Sequence, residues 1–234
     1  MINQNHPSPS VPWTGRDAWL GVGAFALWIA VTIGWVFLSS RIPWQIDLGV
    51  YITVWELVLI VPAWWFTVRK YNTDWKSLGL KSFSAGTLAV GCGLMILSFA
   101  FNLLYNLFLM LFDLQAQMDL TMLFEQTSSP WLLLLGGVVV APVAEEIFFR
   151  GFLFTGLRER YGWKRAGLIS AGLFAVLHLQ PLTTLPIFLL GLIFAYLYHR
   201  SESIWPAVIM HVLTNGLSLG AAYLISQMDL PTIM

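Results

Sequence analysis

Seven apolar segments, each close to the roughly 20 residues needed to cross a hydrocarbon core as a helix, follow one another along the chain. Hydrophobic residues make up 58% of the 234 residues and charged residues only 10%, against about 25% in soluble domains. The sequence therefore predicts an integral, multi-pass membrane protein, an all-α bundle of about seven spans. These lie near 17–39, 48–68, 84–112, 131–156, 165–180, 182–199 and 204–226.

Lysine and arginine placement predicts the orientation of this bundle. If the N-terminus is cytoplasmic, the inner segments hold ten of the twelve basic residues, whereas the outer loops hold Arg41 and a span holds Arg150. The positive-inside rule then favours a cytoplasmic N-terminus and, with seven spans, an outer C-terminus. The ten inner basic residues are Arg16, Arg69, Lys70, Lys76, Lys81, Arg158, Arg160, Lys164, Arg165 and Arg200.

Domain organisation is simple. A polar tail at 1–16 lacks the basic region of a signal peptide, so the first apolar run is interpreted as a retained span of one transmembrane domain at 17–234. The zero net charge and the lack of a long basic stretch argue against nucleic acid as a partner and leave the lipid bilayer. A single cysteine, Cys92, excludes a disulfide framework. The oligomeric state is not determined by the sequence.

Three ionisable residues interrupt the apolar run from 130 to 157. On a helix, Glu146 and Arg150 are four residues apart and can pair, while Glu145 points about 100° away. Pro142 lacks a backbone donor and is expected to distort the helix just before them. Ionisable groups at membrane depth are costly and mark functional sites, so we expect one carboxylate to be paired and the other to be available for chemistry.

Polar residues on two later spans are predicted to reach the same depth. At 1.5 Å per residue, Glu145 and His178 both lie about 20 Å from the predicted cytoplasmic ends of their spans. His211 and Asn215 lie about 12 and 18 Å deep on the last span and share one helix face. The sequence therefore predicts that these side chains converge on one hydrated pocket.

Structural roles remain as alternatives for each of these residues. The Glu146–Arg150 pair can simply fix helix register, and membrane histidines and asparagines often form hydrogen bonds between helices. Glu56 lies at a similar depth, but a hydrogen bond to a neighbouring helix is the favoured interpretation. Asn102 and Asn106 share a face of the third span and are interpreted as packing contacts.

The predicted cluster suits hydrolysis. A carboxylate in a partly dry site can act as a general base on water, and a neighbouring histidine can orient that water or pass the proton to the leaving amine. N–H donors from His211 and Asn215 can stabilise an oxyanion. Neither a serine nor a cysteine accompanies the cluster at a nucleophile's spacing, which disfavours a covalent route.

Three motifs in order resemble those of the CPBP family, which includes CAAX-prenyl endopeptidases of the Rce1 type and bacteriocin-processing (Abi) enzymes. They are Glu145-Glu146-x-x-x-Arg150, Phe174-x-x-x-His178 and His211-x-x-x-Asn215, within about 131–220. The resemblance implies an intramembrane endopeptidase whose chamber opens to the cytoplasm. It also implies that Glu145 and His178 activate water, that His211 and Asn215 stabilise the oxyanion, and that the substrate is a membrane-associated peptide or lipidated protein, of CAAX or bacteriocin-like type.

A zinc-dependent variant of this chemistry remains an alternative. Glu145 or Glu146, together with His178 and His211, can supply two histidines and one glutamate to a zinc ion. The chain lacks a His-Glu-x-x-His motif, and Arg150 is an unfavourable neighbour for a cation, so a mechanism without metal or other cofactor is favoured.

Two non-hydrolytic functions also remain open: an immunity or scaffold protein, and a proton-coupled transporter. A transporter is expected to show inverted repeats, and the sequence shows no internal repeat. If the source is bacterial, the membrane is the plasma membrane.

Overall fold

The computed structural model describes residues 11–39, 46–114 and 120–228, and in these ranges the secondary structure is helical without strands. Six of its helices are long and apolar enough to cross a membrane. The predicted all-α transmembrane bundle is thereby confirmed. The helices are α1 (Gly15–Ser39), α2 (Leu48–Arg69), α3 (Ala85–Met110), the long helix Pro130–Leu177, α6 (Pro181–Ser201) and α7 (Trp205–Ser226).

The long helix divides in two at Gly162. Its backbone there has φ 75° and ψ 158°, a conformation that glycine adopts and other residues rarely do. The 48 residues would otherwise extend about 72 Å, more than twice the thickness of a hydrocarbon core. We name the two parts α4 (130–161) and α5 (163–177). The predicted fourth and fifth spans therefore correspond to two helices, with α5 short at roughly 22 Å.

The pair α4 and α5 is an antiparallel hairpin. Ser170 Oγ donates a hydrogen bond to the carbonyl of Phe149 at 2.9 Å, and Gly167 lies against Phe154. Every residue of Ile147–Phe154 is buried, so this segment of α4 forms the centre of the bundle. The other helices pack around it.

Two π-helical segments of α4, Leu135–Val140 and Ile147–Phe154, flank the turn Ala141–Glu146. Pro142 explains the first segment, because it has no N–H to donate to the carbonyl four residues earlier. The helix continues past the proline through a wider, π-helical turn and does not end there. Single π turns inside helices are frequent at functional sites.

The N-terminal segment is more firmly packed than a polar tail. Trp13 is 1% exposed, and its Nε1 donates to the carbonyl of Phe152 at 3.1 Å. Residues 1–10 of the predicted tail lie outside the described residues, as does Arg41 of the predicted outer loop. The cytoplasmic orientation of the N-terminus remains a prediction.

Asp47 ties the starts of α2 and α4 together. Its Oδ1 accepts a hydrogen bond from the Gly49 N–H, and its Oδ2 accepts from the N–H and hydroxyl of Ser128 at 2.7 and 2.8 Å. Next to this contact, Gly49 packs on the backbone of Leu133. This connection sets the register between α2 and the helix that bears Glu145 and Glu146.

We expect the stabilising effect of Asp47 to depend on pH. Hydrogen bonds from Ser128 lower the pKa of Asp47 from 3.8 to about 2. A lowered pKa means that the carboxylate's contribution is fully present above pH 3.8 and is lost as the pH falls through about 2. The melting temperatures of the wild type and Asp47→Asn in detergent should differ most above about pH 4 and converge near pH 2. A difference that is constant over this range would contradict the assignment.

Replacing Gly151 with alanine is predicted to destabilise the protein for steric reasons. A Cβ at this position would lie 2.5 Å from the carbonyl oxygen of Leu78, a backbone atom that cannot rotate away. Gly151→Ala should therefore destabilise the protein by about 1–3 kcal/mol, measured by thermal unfolding. Gly172→Ala is the matched control, because a Cβ there meets nothing within 4 Å. Equal melting temperatures for the two variants would refute the steric explanation.

Candidate active site

Glu146 and Arg150 form an ion pair in the centre of the bundle. Arg150 Nη1 donates to Glu146 Oε1 at 2.8 Å, and both side chains have 0% exposure. The guanidinium also donates from Nη2 to the carbonyl of Gly191 at 3.1 Å and lies 4.5 Å from the ring centre of Phe174. The pairing predicted from the four-residue spacing is confirmed, and it fixes α4 against α6.

His211 of α7 joins this pair. Its Nδ1 lies 3.1 Å from Glu146 Oε1, and its Nε2 lies 3.6 Å from Glu145 Oε2. Since Glu146 Oε1 accepts hydrogen bonds, Nδ1 of His211 acts as the donor to it. The imidazole is also stacked on Phe194, with the ring centres 4.9 Å apart. The structure thus orients His211 with one ring nitrogen on each glutamate.

Glu145 makes fewer contacts with neighbouring polar groups than Glu146. Its side chain is 13% exposed, whereas Glu146 is fully buried. Among the described residues, Oε2 has no hydrogen-bond partner in either glutamate, but Oε1 of Glu146 is bonded to both Arg150 and His211. A carboxylate held near a histidine but not consumed by an ion pair retains the lone pairs that a general base needs.

A cavity of about 320 Å³ adjoins this cluster, and His178, His211 and Asn215 contribute to its wall. His178 Nδ1 donates to the carbonyl of Phe174 at 2.7 Å, so in the neutral imidazole the lone pair lies on Nε2. Asn215 Nδ2 donates to the carbonyl of Gly137 at 2.8 Å. That carbonyl belongs to the π-helical segment before Pro142, and this hydrogen bond links α7 to α4.

The predicted site residues thus fall into two connected groups. Glu145 and Glu146 lie with Arg150 outside the cavity wall, whereas His178 and Asn215 line the cavity, and His211 belongs to both groups. The ring of Phe174 separates the two histidines, with edge-on contacts at 4.8 Å to His178 and 5.7 Å to His211. The lining residues extend from the middle of the bundle towards the 178–184 turn, at the end opposite Gly162.

Comparison with known proteins identifies the segment that carries these residues. Residues 126–217 match the family described as Type II CAAX prenyl endopeptidase Rce1-like. This part of the chain, 92 of the 234 residues, is therefore similar to the Rce1-like family. The segment contains all three sequence motifs, so the resemblance predicted from them is confirmed for this part of the protein.

Two curated relatives match the protein over shorter stretches. The Bacillus subtilis (strain 168) protein named "Putative membrane peptidase YdiL" is 34% identical over 84 residues, which is 36% of this chain and 34% of the relative. An uncharacterized 24.3 kDa protein of Escherichia coli is 35% identical over 113 residues, 45% of this chain and 52% of the relative. The chain thus spans about a third and a half of these relatives. No solved structure matches.

The two predicted oxyanion donors already have partners. Both ring nitrogens of His211 face carboxylates, and one N–H of Asn215 is bonded to Gly137. The second N–H of the Asn215 amide remains for a ligand in the cavity. The roles assigned to these residues stay predictions.

Glu56 lies closer to the candidate site than the sequence interpretation expected. Its Oε2 is buried without a hydrogen-bond partner among the described residues, and it lies close enough to Glu145 and His211 to interact with them electrostatically. Its depth, comparable with that of Glu145, was the signal in the sequence. The packing of α2 on α4 brings this third carboxyl group to the cluster.

The residues proposed for a zinc site do not form a ligand set. In the described part of the protein, no group of three histidine, cysteine, aspartate or glutamate side chains is arranged to hold a metal ion. Glu145 and His211 are close, but His178 lies across the ring of Phe174. The geometry therefore does not fit the alternative that uses Glu145, His178 and His211 as zinc ligands.

Removing the cation from the buried ion pair should be costly. In Arg150→Met, Glu146 remains fully buried without its partner, and we expect a loss of about 3–5 kcal/mol in unfolding free energy. Adding Glu146→Leu removes the unpaired charge and should recover most of this loss in the same denaturation measurement. If the double variant is as unstable as Arg150→Met, the charge is not the cause.

Proposed function

We propose that the protein is an intramembrane endopeptidase that hydrolyses a peptide bond with a water molecule activated by Glu145 and His178. The observation that carries this proposal is the convergence of Glu145 and His211 beside a cavity lined by His178 and Asn215, inside the segment similar to the Rce1-like family. General bases, N–H donors and a space for a peptide thus occur together within the membrane-spanning part of the protein.

In the proposed reaction, the water oxygen forms a bond to the carbonyl carbon of the scissile peptide. The water proton moves to the base, and the carbon–nitrogen bond then breaks as the leaving amine takes up that proton. His178 suits the transfer because its Nδ1–H is held by the carbonyl of Phe174, which leaves Nε2 with a lone pair. Glu145 supplies the second acceptor next to His211.

Stabilisation of the oxyanion is assigned to α7. His211 and Asn215 are one helical turn apart and both line the cavity. Asn215 offers the N–H that Gly137 does not use, and His211 offers Nε2–H when its ring is protonated. Each such donor, held in place before the reaction begins, contributes about 10²- to 10³-fold to the rate.

Glu146 and Arg150 are assigned a positioning role. The two buried charges are paired through Glu146 Oε1, and the same oxygen accepts a hydrogen bond from Nδ1 of His211. A carboxylate bound to both a guanidinium and an imidazole has little remaining capacity to accept a proton. The contacts of the two adjacent glutamates support this division of roles.

The substrate class is a membrane-associated peptide. A cavity of about 320 Å³ accommodates a few residues of extended peptide and not a folded protein. The matched family is described by its action on CAAX prenyl substrates, which supports a lipidated peptide as the substrate. A bacteriocin-like peptide is the alternative implied by the motifs. The cytoplasmic opening implied by the motifs stays a prediction that this cavity does not support, because its wall extends towards the 178–184 turn, away from the basic residues around Gly162.

The proposal is tested with purified protein and a panel of fluorogenic membrane peptides, with and without a prenyl group. Glu145→Ala should reduce kcat/KM by about 10²- to 10⁴-fold, the contribution of a general base. A chelator should leave the wild-type rate unchanged. Equal cleavage by the wild type and Glu145→Ala would refute the assignment, and loss of activity on chelation would favour the zinc alternative.

A further inference from the structure

The cavity has a second set of polar groups that the proposed reaction does not use. Besides the histidines and Asn215, its wall includes polar residues from α3, from the start of α6 and the residue before it, and from α7. These are Ser98, Asn102, Gln180, Thr183, Thr214 and Ser218. No lysine or arginine is among the described residues that line the cavity. A wall of neutral donors and acceptors suits a neutral polar ligand better than an anion.

The amide of Asn102 has a defined orientation. Asn106 Nδ2 donates to the backbone carbonyl of Asn102 at 2.7 Å and to its Oδ1 at 3.1 Å. Because a carbonyl oxygen only accepts hydrogen bonds, the Asn106 atom must be the nitrogen, and it faces Oδ1 of Asn102. Nδ2 of Asn102 makes no hydrogen bond to any described residue. Asn106 therefore positions a free amide donor in the wall of the cavity.

A peptide bound at this depth needs such donors. Lipid offers no hydrogen bonds, and each unsatisfied backbone carbonyl or N–H costs several kcal/mol in hydrocarbon. An extended peptide lying past His211 and Asn215 presents further carbonyls on both sides of the scissile bond. The groups that cleave one peptide bond cannot also satisfy these neighbouring carbonyls.

We propose that Asn102 is a substrate-binding residue whose Nδ2 donates a hydrogen bond to a backbone carbonyl of the bound peptide next to the scissile bond. Asn106 is the positioning residue that orients it. This inference rests on the proposed peptidase function. It specifies that the substrate binds as an extended peptide, through hydrogen bonds to its backbone. A hydrogen bond present both in the bound substrate and in the transition state affects KM and leaves kcat unchanged.

The test compares Asn102→Ala with the wild type on one cleaved peptide and on a series in which single amides near the scissile bond are replaced by esters. An ester carbonyl is a weaker hydrogen-bond acceptor. In the wild type, one ester position should raise KM by about five- to tenfold, the effect of one hydrogen bond. Asn102→Ala should raise KM similarly with kcat within about twofold, and the ester at that position should then add no further increase.

Three further variants sharpen the experiment. Asn106→Ala should raise KM less than Asn102→Ala, because it frees the amide without removing it. Asn102→Asp keeps the side-chain shape but replaces the donor with an acceptor, and it should raise KM at least as much, so it serves if the alanine variant fails to fold. Gln227→Ala, an exposed amide at the end of α7, is the matched control and should behave as the wild type.

The outcomes separate this inference from the function on which it rests. If the wild type cleaves peptides, Glu145→Ala does not, and both Asn102 variants keep the wild-type KM, then the inference is wrong and the peptidase function stands. If the ester effect persists in full in Asn102→Ala, the carbonyl is held by another residue and the inference is again wrong. If Glu145→Ala cleaves as well as the wild type, the function itself fails.

Discussion

The buried ion pair between Glu146 and Arg150 is the interaction on which the rest of the site depends. Two charges with 0% exposure inside a membrane bundle are tolerable only if each is paired and hydrogen-bonded. The guanidinium meets this condition by reaching the carbonyl of Gly191 on α6, and the carboxylate by accepting from His211 on α7. Satisfying the charges therefore requires α4, α6 and α7 to pack in one arrangement, and that arrangement places His211 beside Glu145.

Two departures from regular helical backbone allow the helices to pack in this arrangement. Gly162 reverses the direction of the backbone so that α5 returns along α4 and brings Phe174 against Arg150 and His211, with His178 against Phe174. The π-helical turn before Pro142 provides the carbonyl of Gly137 that holds Asn215. A regular helix would use most of its backbone carbonyls internally, so the proline contributes to the site by changing the hydrogen-bond pattern of the turn that precedes it.

Part of this architecture could be predicted from the sequence because it depends on local spacing. The pairing of Glu146 with Arg150 follows from a four-residue interval, and the spans follow from apolar length. The long-range contacts could not be predicted in this way. Helix depth placed Glu56 near the cluster but could not give the rotation of α2, and face sharing on α3 could not show that Asn102 borders a cavity. The spacing of residues in the sequence determines how far apart they lie along one helix, whereas contacts between helices depend on how the helices pack.

The difference between the two adjacent glutamates illustrates how one helix can hold a charge and offer a base. Both belong to the same turn of α4, but the rotation of about 100° between them directs Glu146 to Arg150 and Glu145 to Nε2 of His211. The histidine is therefore held at Nδ1 by Glu146 and faces Glu145, the proposed base, with Nε2. Exchanging the two roles would leave an unpaired carboxylate at the fully buried position of Glu146, next to the aromatic rings that surround Arg150, where burial of an unpaired charge is costly.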